Sequence, residues 1–197
     1  MKIAIIKYNA GNTCSVENAL NRLGIEPIIT DDKEVILSAD KVIFPGVGHA
    51  VPTMQYLKER NLDTVIKNMK QPVLGICLGQ QLMCTHSEEG DVDCLGIFPV
   101  RVKKFKTTDF LNKIPQIGWN SISNIKTKLF ESVYDNSFVY FVHSYYCEMS
   151  EYAIAATNYI HDFASALHKD NFYAVQFHPE KSAGAGHQIL KNFIEKV

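Results

Sequence analysis

The sequence has almost no net charge and no long apolar run. Its 20 Lys and Arg residues are balanced by 21 Asp and Glu residues, which gives a formal net charge of -1. A chain this neutral lacks the basic footprint of a nucleic-acid-binding protein and the basic excess of a protein that binds an anionic membrane surface. No apolar run approaches the ~18 residues that a membrane span needs. We therefore expect neither nucleic acid nor a membrane among its partners.

Paired cysteine motifs are also missing. The odd number of cysteines excludes complete pairing within one chain; the five are Cys14, Cys77, Cys84, Cys94 and Cys147. None of them stands in a C-x-x-C spacing, which argues against a zinc knuckle or a thioredoxin-like site. The first apolar run is too short for a signal sequence. We therefore expect reduced thiols and a cytoplasmic protein.

The sequence does contain an alternation of strands and helices. Segments typical of buried strands occur at residues 3–6, 27–30, 41–44 and 72–76. Apolar residues at helical spacing follow them at residues 16–23, 52–70 and 78–86. Closely spaced strand-like segments dominate the second half, at residues 138–142, 153–157, 164–167 and 173–177, before a closing helix. This order predicts an α/β fold with an open, mostly parallel sheet flanked by helices and an antiparallel extension, in one domain over residues 1–197.

The segment Gly75-Ile76-Cys77-Leu78-Gly79 joins an apolar strand to a helix. A nucleophile on such a tight turn needs small neighbours, and Gly75 and Gly79 provide them. The thiol would project from the carboxyl edge of the sheet, where open α/β folds place their sites. The helix that follows favours the thiolate. Cys77 is therefore a candidate nucleophile, with a buried structural cysteine as the alternative.

The segment from Val175 to Glu180 supplies a base and a carboxylate. Pro179 keeps His178 out of helical geometry, and residues i and i+2 of an extended chain point the same way. His178 and Glu180 therefore have the spacing of a base and the carboxylate that orients it. Two residues of an exposed loop are the alternative for this pair alone. Combined with Cys77, the pair favours thiolate catalysis.

A glycine-rich turn, Pro45-Gly46-Val47-Gly48, ends the strand at residues 41–44. Its unhindered backbone N–H groups could form an oxyanion hole together with the N–H of Leu78. An ordinary β-turn is the alternative. A phosphate loop is excluded because no G-x-x-x-x-G-K-[ST] pattern follows.

Taken together, these segments resemble the class I, triad-type glutamine amidotransferases. Further markers of the resemblance run in order along nearly the whole chain: Gly11-Asn12, Ile114-Pro115, Gly118-Trp119-Asn120, Tyr140–Tyr146 and Gln176–Ser182. Within that family the chain is similar to glutaminase subunits that stand alone and supply ammonia to a separate synthase subunit.

The resemblance implies the chemistry of each site residue. The Cys77 thiolate would attack the side-chain amide of glutamine to give a γ-glutamyl thioester and ammonia, with His178 as base and acid and Glu180 orienting it. The resemblance implies an oxyanion hole formed by Val47, Gly48 and Leu78. A peptide bond in the turn would have to flip before this hole could bind the oxyanion. The residues implied to hold glutamine are Gly48, Gln81, Ser144 and Tyr145. No metal or organic cofactor is implied.

The resemblance also implies a heterodimer. The partner would be a (β/α)8-barrel synthase subunit that uses the ammonia to form imidazole glycerol phosphate and AICAR in histidine biosynthesis. The residues expected on the docking face are Asn12, Trp119, Asn120, Tyr140 and Lys181.

Some positions depart from the family pattern. Lys7 and Asn9 stand where an acidic residue and a glycine are usual, Gln80 replaces an aliphatic residue and Ile117 replaces methionine. None belongs to the triad. Three alternatives remain open: the same glutaminase serving another acceptor, for example in a surface-sugar pathway; a cysteine hydrolase or peptidase of similar fold; and a non-catalytic binding subunit.

Overall fold

The computed structural model describes residues 1–8, 12–108 and 112–197. Its centre is a parallel sheet whose inner strands are almost wholly buried, as expected for strands covered by helices on both faces. In the order of the sheet, the parallel strands are β2 (Ile28–Thr30), β1 (Ile3–Ile6), β3 (Lys41–Phe44), β4 (Val73–Ile76) and β13 (Phe172–Val175). The carboxyl ends of β3, β4 and β13 therefore lie side by side.

Beyond β13 the sheet becomes antiparallel. The extension consists, toward its edge, of β12 (His161–Lys169), β10 (Tyr145–Cys147), β7 (Arg101–Lys104), β5 (His86–Ser87) and β6 (Val92–Asp93), with β11 (Ala153–Tyr159) paired alongside β12. Only the β5–β7 pair in this part is parallel. The predicted α/β fold, a mostly parallel sheet with an antiparallel extension, is confirmed.

Helices cover both faces of the sheet. They are α1 (Thr13–Asn21), α2 (Lys33–Leu37), α3 (Ala50–Glu59), α4 (Leu62–Lys67), α5 (Leu78–Met83) and α6 (Ala183–Glu195). Because side chains alternate along a strand, Ala4 and Ile6 of β1 join the core under α2 to α5, whereas Ile3 and Ile5 join the core under α1 and α6. Within the described ranges, no helix is both long and apolar enough to cross a membrane.

A separate hairpin lies beside the main sheet. It consists of β8 (Gln116–Ser121) and β9 (Phe138–His143), whose register sets Trp119 opposite Tyr140 and Gln116 opposite His143. The end of β9 leads through one residue into β10. The hairpin therefore connects an outer surface to the carboxyl edge of the sheet.

Several predicted boundaries are wrong, each for a local reason. The helix predicted over residues 52–70 is two helices, because Asn61 adopts a left-handed φ of 53° between them. The helix predicted to reach residue 86 ends at Met83, since Cys84 is extended. The last strand ends at Val175 instead of Phe177. Asn9 and Gly11, named in the sequence analysis, lie outside the described residues.

Candidate active site

Cys77 lies at the junction of β4 and α5. Its φ of 54° and ψ of -108° place a non-glycine residue in a costly backbone conformation, of the kind found at functional turns. The backbone is held there because the Cys77 N–H donates to the Val175 carbonyl at 2.8 Å. A Cβ at Gly79 would lie 2.0 Å from the Phe44 carbonyl oxygen, so only glycine fits. The turn thus has the crowding that the sequence pattern predicts for a nucleophile elbow.

His178 and Glu180 form a buried hydrogen-bonded pair. The Nδ1–H of His178 donates to Oε1 of Glu180 at 2.7 Å, and each side chain is only 1% exposed. The Nδ2 of Asn12 donates to the same carboxylate oxygen at 3.0 Å. The opposite ring atom, His178 Nε2, is buried without a hydrogen-bond partner among the described residues. One ring nitrogen is therefore fixed and the other is free to exchange a proton.

The charge of His178 is set by its neighbours. Burial lowers its pKa, but the Cys77 sulfur and the Glu180 carboxylate outweigh this effect and raise the pKa to about 10. The ring is therefore a cation at neutral pH. A neighbouring imidazolium favours a thiolate over a thiol. The structure brings the three predicted triad residues together, with Glu180 as the ion-pair partner of His178.

A cleft of about 300 Å³ opens above Cys77. The sequence-predicted residues that line it are Val47, Gly48, Cys77, Leu78, Gln81, Ser144 and Tyr145. These residues come from the ends of β3 and β4, from α5 and from the start of β10. Every residue predicted for the oxyanion hole or for glutamine binding thus lies on one cavity.

Glu89 also lines this cleft, and the sequence analysis missed it. Its Oε2 accepts a hydrogen bond from the backbone N–H of Ala50 at 2.8 Å, which fixes the carboxylate at the start of α3. A carboxylate held there can pair with the ammonium group of an amino acid. The motif Ser87-Glu88-Glu89-Gly90 was visible in the sequence, but two adjacent acids in a turn are usually solvated.

The oxyanion turn is closed in this structure. The N–H of Leu78 donates to the carbonyl of Gly46 at 3.2 Å, so this donor is already occupied. The Tyr8 hydroxyl donates to the Pro45 carbonyl, and a Cβ at Gly46 would lie 2.2 Å from that hydroxyl oxygen. Opening the hole requires the turn to release Leu78. The oxyanion roles of Val47, Gly48 and Leu78 stay predictions.

Gln81 is oriented by two fixed acceptors. Its Nε2 donates to the Tyr145 carbonyl at 3.0 Å and to Oε1 of Gln176 at 2.9 Å. Both amide hydrogens are therefore used, and Oε1 is the atom left to accept a hydrogen bond from a substrate.

His143 supports the same carbonyl. Its Nδ1–H donates to the Tyr145 carbonyl at 2.7 Å, and burial lowers the pKa of His143 to about 4, so the ring is neutral at pH 7. The atom 3.0 Å from its Nε2 is Oε1 of the Gln116 amide; because a neutral ring that donates from Nδ1 can only accept at Nε2, we assign this amide in the reversed orientation, with its N–H toward the ring. This pair joins the hairpin to the cleft.

Four of the five residues predicted for the docking face, all but Asn12, lie on or near the hairpin. Trp119 is 52% exposed and packs edge-on against the Tyr140 ring. Asn120 donates from Nδ2 to the Asn158 carbonyl, and Lys181 is exposed in the turn that follows His178. The Tyr140 carbonyl accepts the backbone N–H of His178 at 2.9 Å. Asn12 instead contacts the triad carboxylate.

A thiol, an imidazole and a carboxylate thus meet at the carboxyl edge of a parallel sheet, the arrangement of a cysteine-dependent acyl-transfer enzyme. The family model "Glutamine amidotransferase class-I" matches residues 4–197. Imidazole glycerol phosphate synthase subunit HisH of Bacteroides fragilis (strain YCH46) is 61% identical over 195 residues, which are 99% of this chain and 100% of that protein. HisH of Pectobacterium atrosepticum is 47% identical over 197 residues, again 99% and 100%. The chain therefore belongs to the class-I glutamine amidotransferase family, in the group formed by the HisH subunits of imidazole glycerol phosphate synthase.

Solved structures of low sequence identity share the fold. A glutamine amidotransferase crystal structure matches with a TM-score of 0.74 at 17% identity, over 98% of this chain and 97% of that one. PurLQS from Thermotoga maritima matches with a TM-score of 0.70 at 14% identity, over 98% and 97%. At such identities the likeness concerns the fold alone.

Proposed function

We propose that this chain is the glutaminase subunit of an imidazole glycerol phosphate synthase, working in the cytoplasm as a single domain over residues 1–197. It hydrolyses glutamine and passes the ammonia to a (β/α)8-barrel synthase subunit of histidine biosynthesis. The observation that carries the chemistry is the Cys77–His178–Glu180 arrangement beneath a cleft.

The reaction begins with the thiolate of Cys77. The sulfur forms a bond to the side-chain amide carbon of glutamine, and the carbonyl electron pair moves onto oxygen. As that pair returns, the carbon–nitrogen bond breaks and the His178 imidazolium gives its proton to the departing ammonia. Water then attacks the γ-glutamyl thioester and gives its proton to His178; the carbon–sulfur bond breaks, which restores the Cys77 thiolate and releases glutamate. Glu180 keeps Nδ1–H pointing away from the reaction throughout.

Substrate recognition uses the polar atoms left free in the cleft. The Glu89 carboxylate suits the ammonium group of glutamine, and Gln81 Oε1 can accept from an N–H of the substrate. Backbone and side-chain groups at Gly48, Ser144 and Tyr145 surround the remaining space. These assignments rest on the position of each residue on the cleft and on the chemistry that it offers.

The closed oxyanion turn explains why the partner would control the rate. While Gly46 holds the Leu78 N–H, the tetrahedral intermediate lacks a backbone donor, and the loss of one such donor costs roughly 10²–10³ in turnover. We propose that docking of the barrel subunit with its nucleotide favours the conformation in which the turn frees Leu78 and presents an N–H from Val47 or Gly48.

Glutamate production with and without the partner tests this function. The isolated chain should turn over glutamine slowly, and addition of the barrel subunit with the histidine-pathway nucleotide should stimulate it by roughly 10²-fold or more. Full turnover by the isolated chain would contradict coupling across the interface. Stimulation by another acceptor but not by this nucleotide would favour a paralogous amidotransferase, which the departure at Lys7 leaves open.

A further inference from the structure

Gln176 is a buried amide that no step of the proposed reaction uses. It follows β13 and stands two residues before His178, and its side chain is completely inaccessible to solvent. Its backbone N–H donates to the Ser165 carbonyl at 2.8 Å, which anchors it to β12. Its side chain reaches two groups of the candidate active site, the Cys77 sulfur and the Gln81 amide.

The direction of this amide is determined by a backbone carbonyl. The Tyr145 carbonyl can only accept, so the Gln81 atom 3.0 Å from it is the nitrogen. That nitrogen also donates to the Gln176 side chain at 2.9 Å, so the Gln176 atom facing it is the oxygen. The nitrogen of Gln176 consequently faces Cys77 Sγ, at 3.7 Å. Reversal of either amide would set two donors or two acceptors against each other.

An N–H group aimed at sulfur distinguishes the two protonation states of a cysteine. Hydrogen bonds to a charged acceptor are roughly twice as strong as those to a neutral one. A donor fixed on Cys77 Sγ therefore stabilises the thiolate more than the thiol. The amide approaches the sulfur from the side of β13 and needs no reorganisation, because its residue is fully buried and its backbone N–H is bonded to the Ser165 carbonyl.

We propose that Gln176 is a catalytic residue of the glutaminase, whose side-chain N–H stabilises the negative charge on the Cys77 sulfur. His178 supplies the countercharge and the proton, whereas Gln176 supplies a neutral, permanently aligned donor. The oxygen of the same amide ties Gln81 to the nucleophile, so the glutamine-binding residue and the sulfur share one support. The catalytic part of this inference rests on the proposed function; the contact with sulfur does not.

Three buried glutamines, Gln80, Gln81 and Gln176, allow a matched set of variants. Gln176→Met removes the N–H from the sulfur. Gln81→Met removes the neighbouring amide but leaves the N–H of Gln176 in place. Gln80→Met is the control, because Gln80 is also fully buried but its side chain donates to the Ala164 carbonyl, at 3.1 Å, and not to the Cys77 sulfur. Gln176→Asn shortens the side chain by one methylene, which moves its N–H away from the sulfur while the site stays polar. This variant replaces Gln176→Met in the test if the methionine variant does not fold.

The direct readout is the rate at which iodoacetamide alkylates Cys77 in the full-length chain without glutamine, followed by mass spectrometry of its peptide. Exposed Cys14 is the internal reference for the reagent. Gln176→Met and Gln176→Asn should slow alkylation at pH 7 about tenfold, the factor of a hydrogen bond to a charged acceptor, and shift its pH profile upward. Gln80→Met and Gln81→Met should stay within about twofold of wild type.

Kinetics of the complex with the barrel subunit complete the test. Gln176→Met should lower kcat about tenfold with little change in KM, whereas Gln81→Met should raise KM. A wild-type rate of Cys77 alkylation in both Gln176 variants would overturn the inference. So would a Gln81→Met variant whose alkylation rate falls as much as in Gln176→Met, because Gln176 would then act only as a support for Gln81. Absence of glutamate production by the wild-type complex would instead overturn the proposed function, without affecting the alkylation result.

Discussion

At the scale of single residues, the tight turn around Cys77 depends on the absence of a side chain at Gly79. Gly79 approaches the backbone of Phe44 so closely that a methyl group would have to displace it. Only a glycine at position 79 allows the Cys77 sulfur, the oxyanion turn and the start of α5 to lie in contact. Such close approaches explain why the motif spacing is so specific.

Replacement of Gly79 by alanine should therefore destabilise the protein. The new Cβ would lie 2.0 Å from the Phe44 carbonyl oxygen, and overpacking of this kind costs roughly 1–3 kcal/mol or more. The control is Gly184→Ala in α6, where a Cβ meets nothing within 4 Å and helix propensity favours alanine by up to about 1 kcal/mol. Urea unfolding measures both changes. Equal free energies of unfolding for Gly79→Ala and wild type would refute the packing argument.

The proximity of Cys77, His178 and Glu180 could be predicted from sequence because each stands in a short motif whose geometry is local. Cys77 has its glycines and His178 has its proline, so their backbones are restricted before any tertiary contact forms. Glu89, His143 and Gln176 carried no such signal. Their roles depend on which carbonyl, amide or sulfur the fold brings opposite them, and a single sequence does not contain that information.

At the scale of elements, the hairpin of β8 and β9 has two different ends. Its outer part exposes Ile117, Trp119 and Phe138, at 63%, 52% and 62%. Its inner end carries the buried Gln116–His143 pair against the cleft. Strand β8 was not predicted, because Gly118 interrupts it and its apolar residues face solvent. A partner seated on the outer part would touch the element that ends at the cleft above Cys77.

Trp119→Ala should weaken binding of the barrel subunit without unfolding the chain. A half-exposed tryptophan at the centre of a docking face contributes about 2 kcal/mol or more, which is about thirtyfold in Kd. Leu37→Ala is the matched control, since Leu37 is also 52% exposed but lies on α2. Isothermal titration calorimetry measures the Kd of each variant for the barrel subunit. Equal Kd values for both would remove Trp119 from the interface.

At the scale of the whole molecule, two buried histidines oppose each other in their response to pH. His178 keeps its proton up to about pH 10 in the folded protein, whereas His143 is neutral down to about pH 4. In the unfolded chain both titrate near the ordinary value of 6.5. Between 6.5 and 10 the folded state binds more protons through His178, and between 4 and 6.5 the unfolded state binds more through His143.

The free energy of unfolding should therefore pass through a maximum near pH 6.5 as far as these two groups determine it. It should fall toward pH 10 because the His178 proton is lost, and fall toward pH 4 because buried His143 must become charged. His178→Gln should flatten the alkaline side alone and His143→Gln the acid side alone. Thermal or urea unfolding across this range measures the slopes. Unchanged slopes in the variants would contradict the assigned charges.

We propose that Cys77 releases the ammonia that a reaction on another subunit consumes. The most direct test compares glutamine-dependent and ammonia-dependent synthesis by the complex of Cys77→Ala with the barrel subunit. Glutamine should no longer support synthesis, while added ammonia should support it at the wild-type rate because the barrel is intact. Glutamine-dependent synthesis that persists in Cys77→Ala would contradict the account.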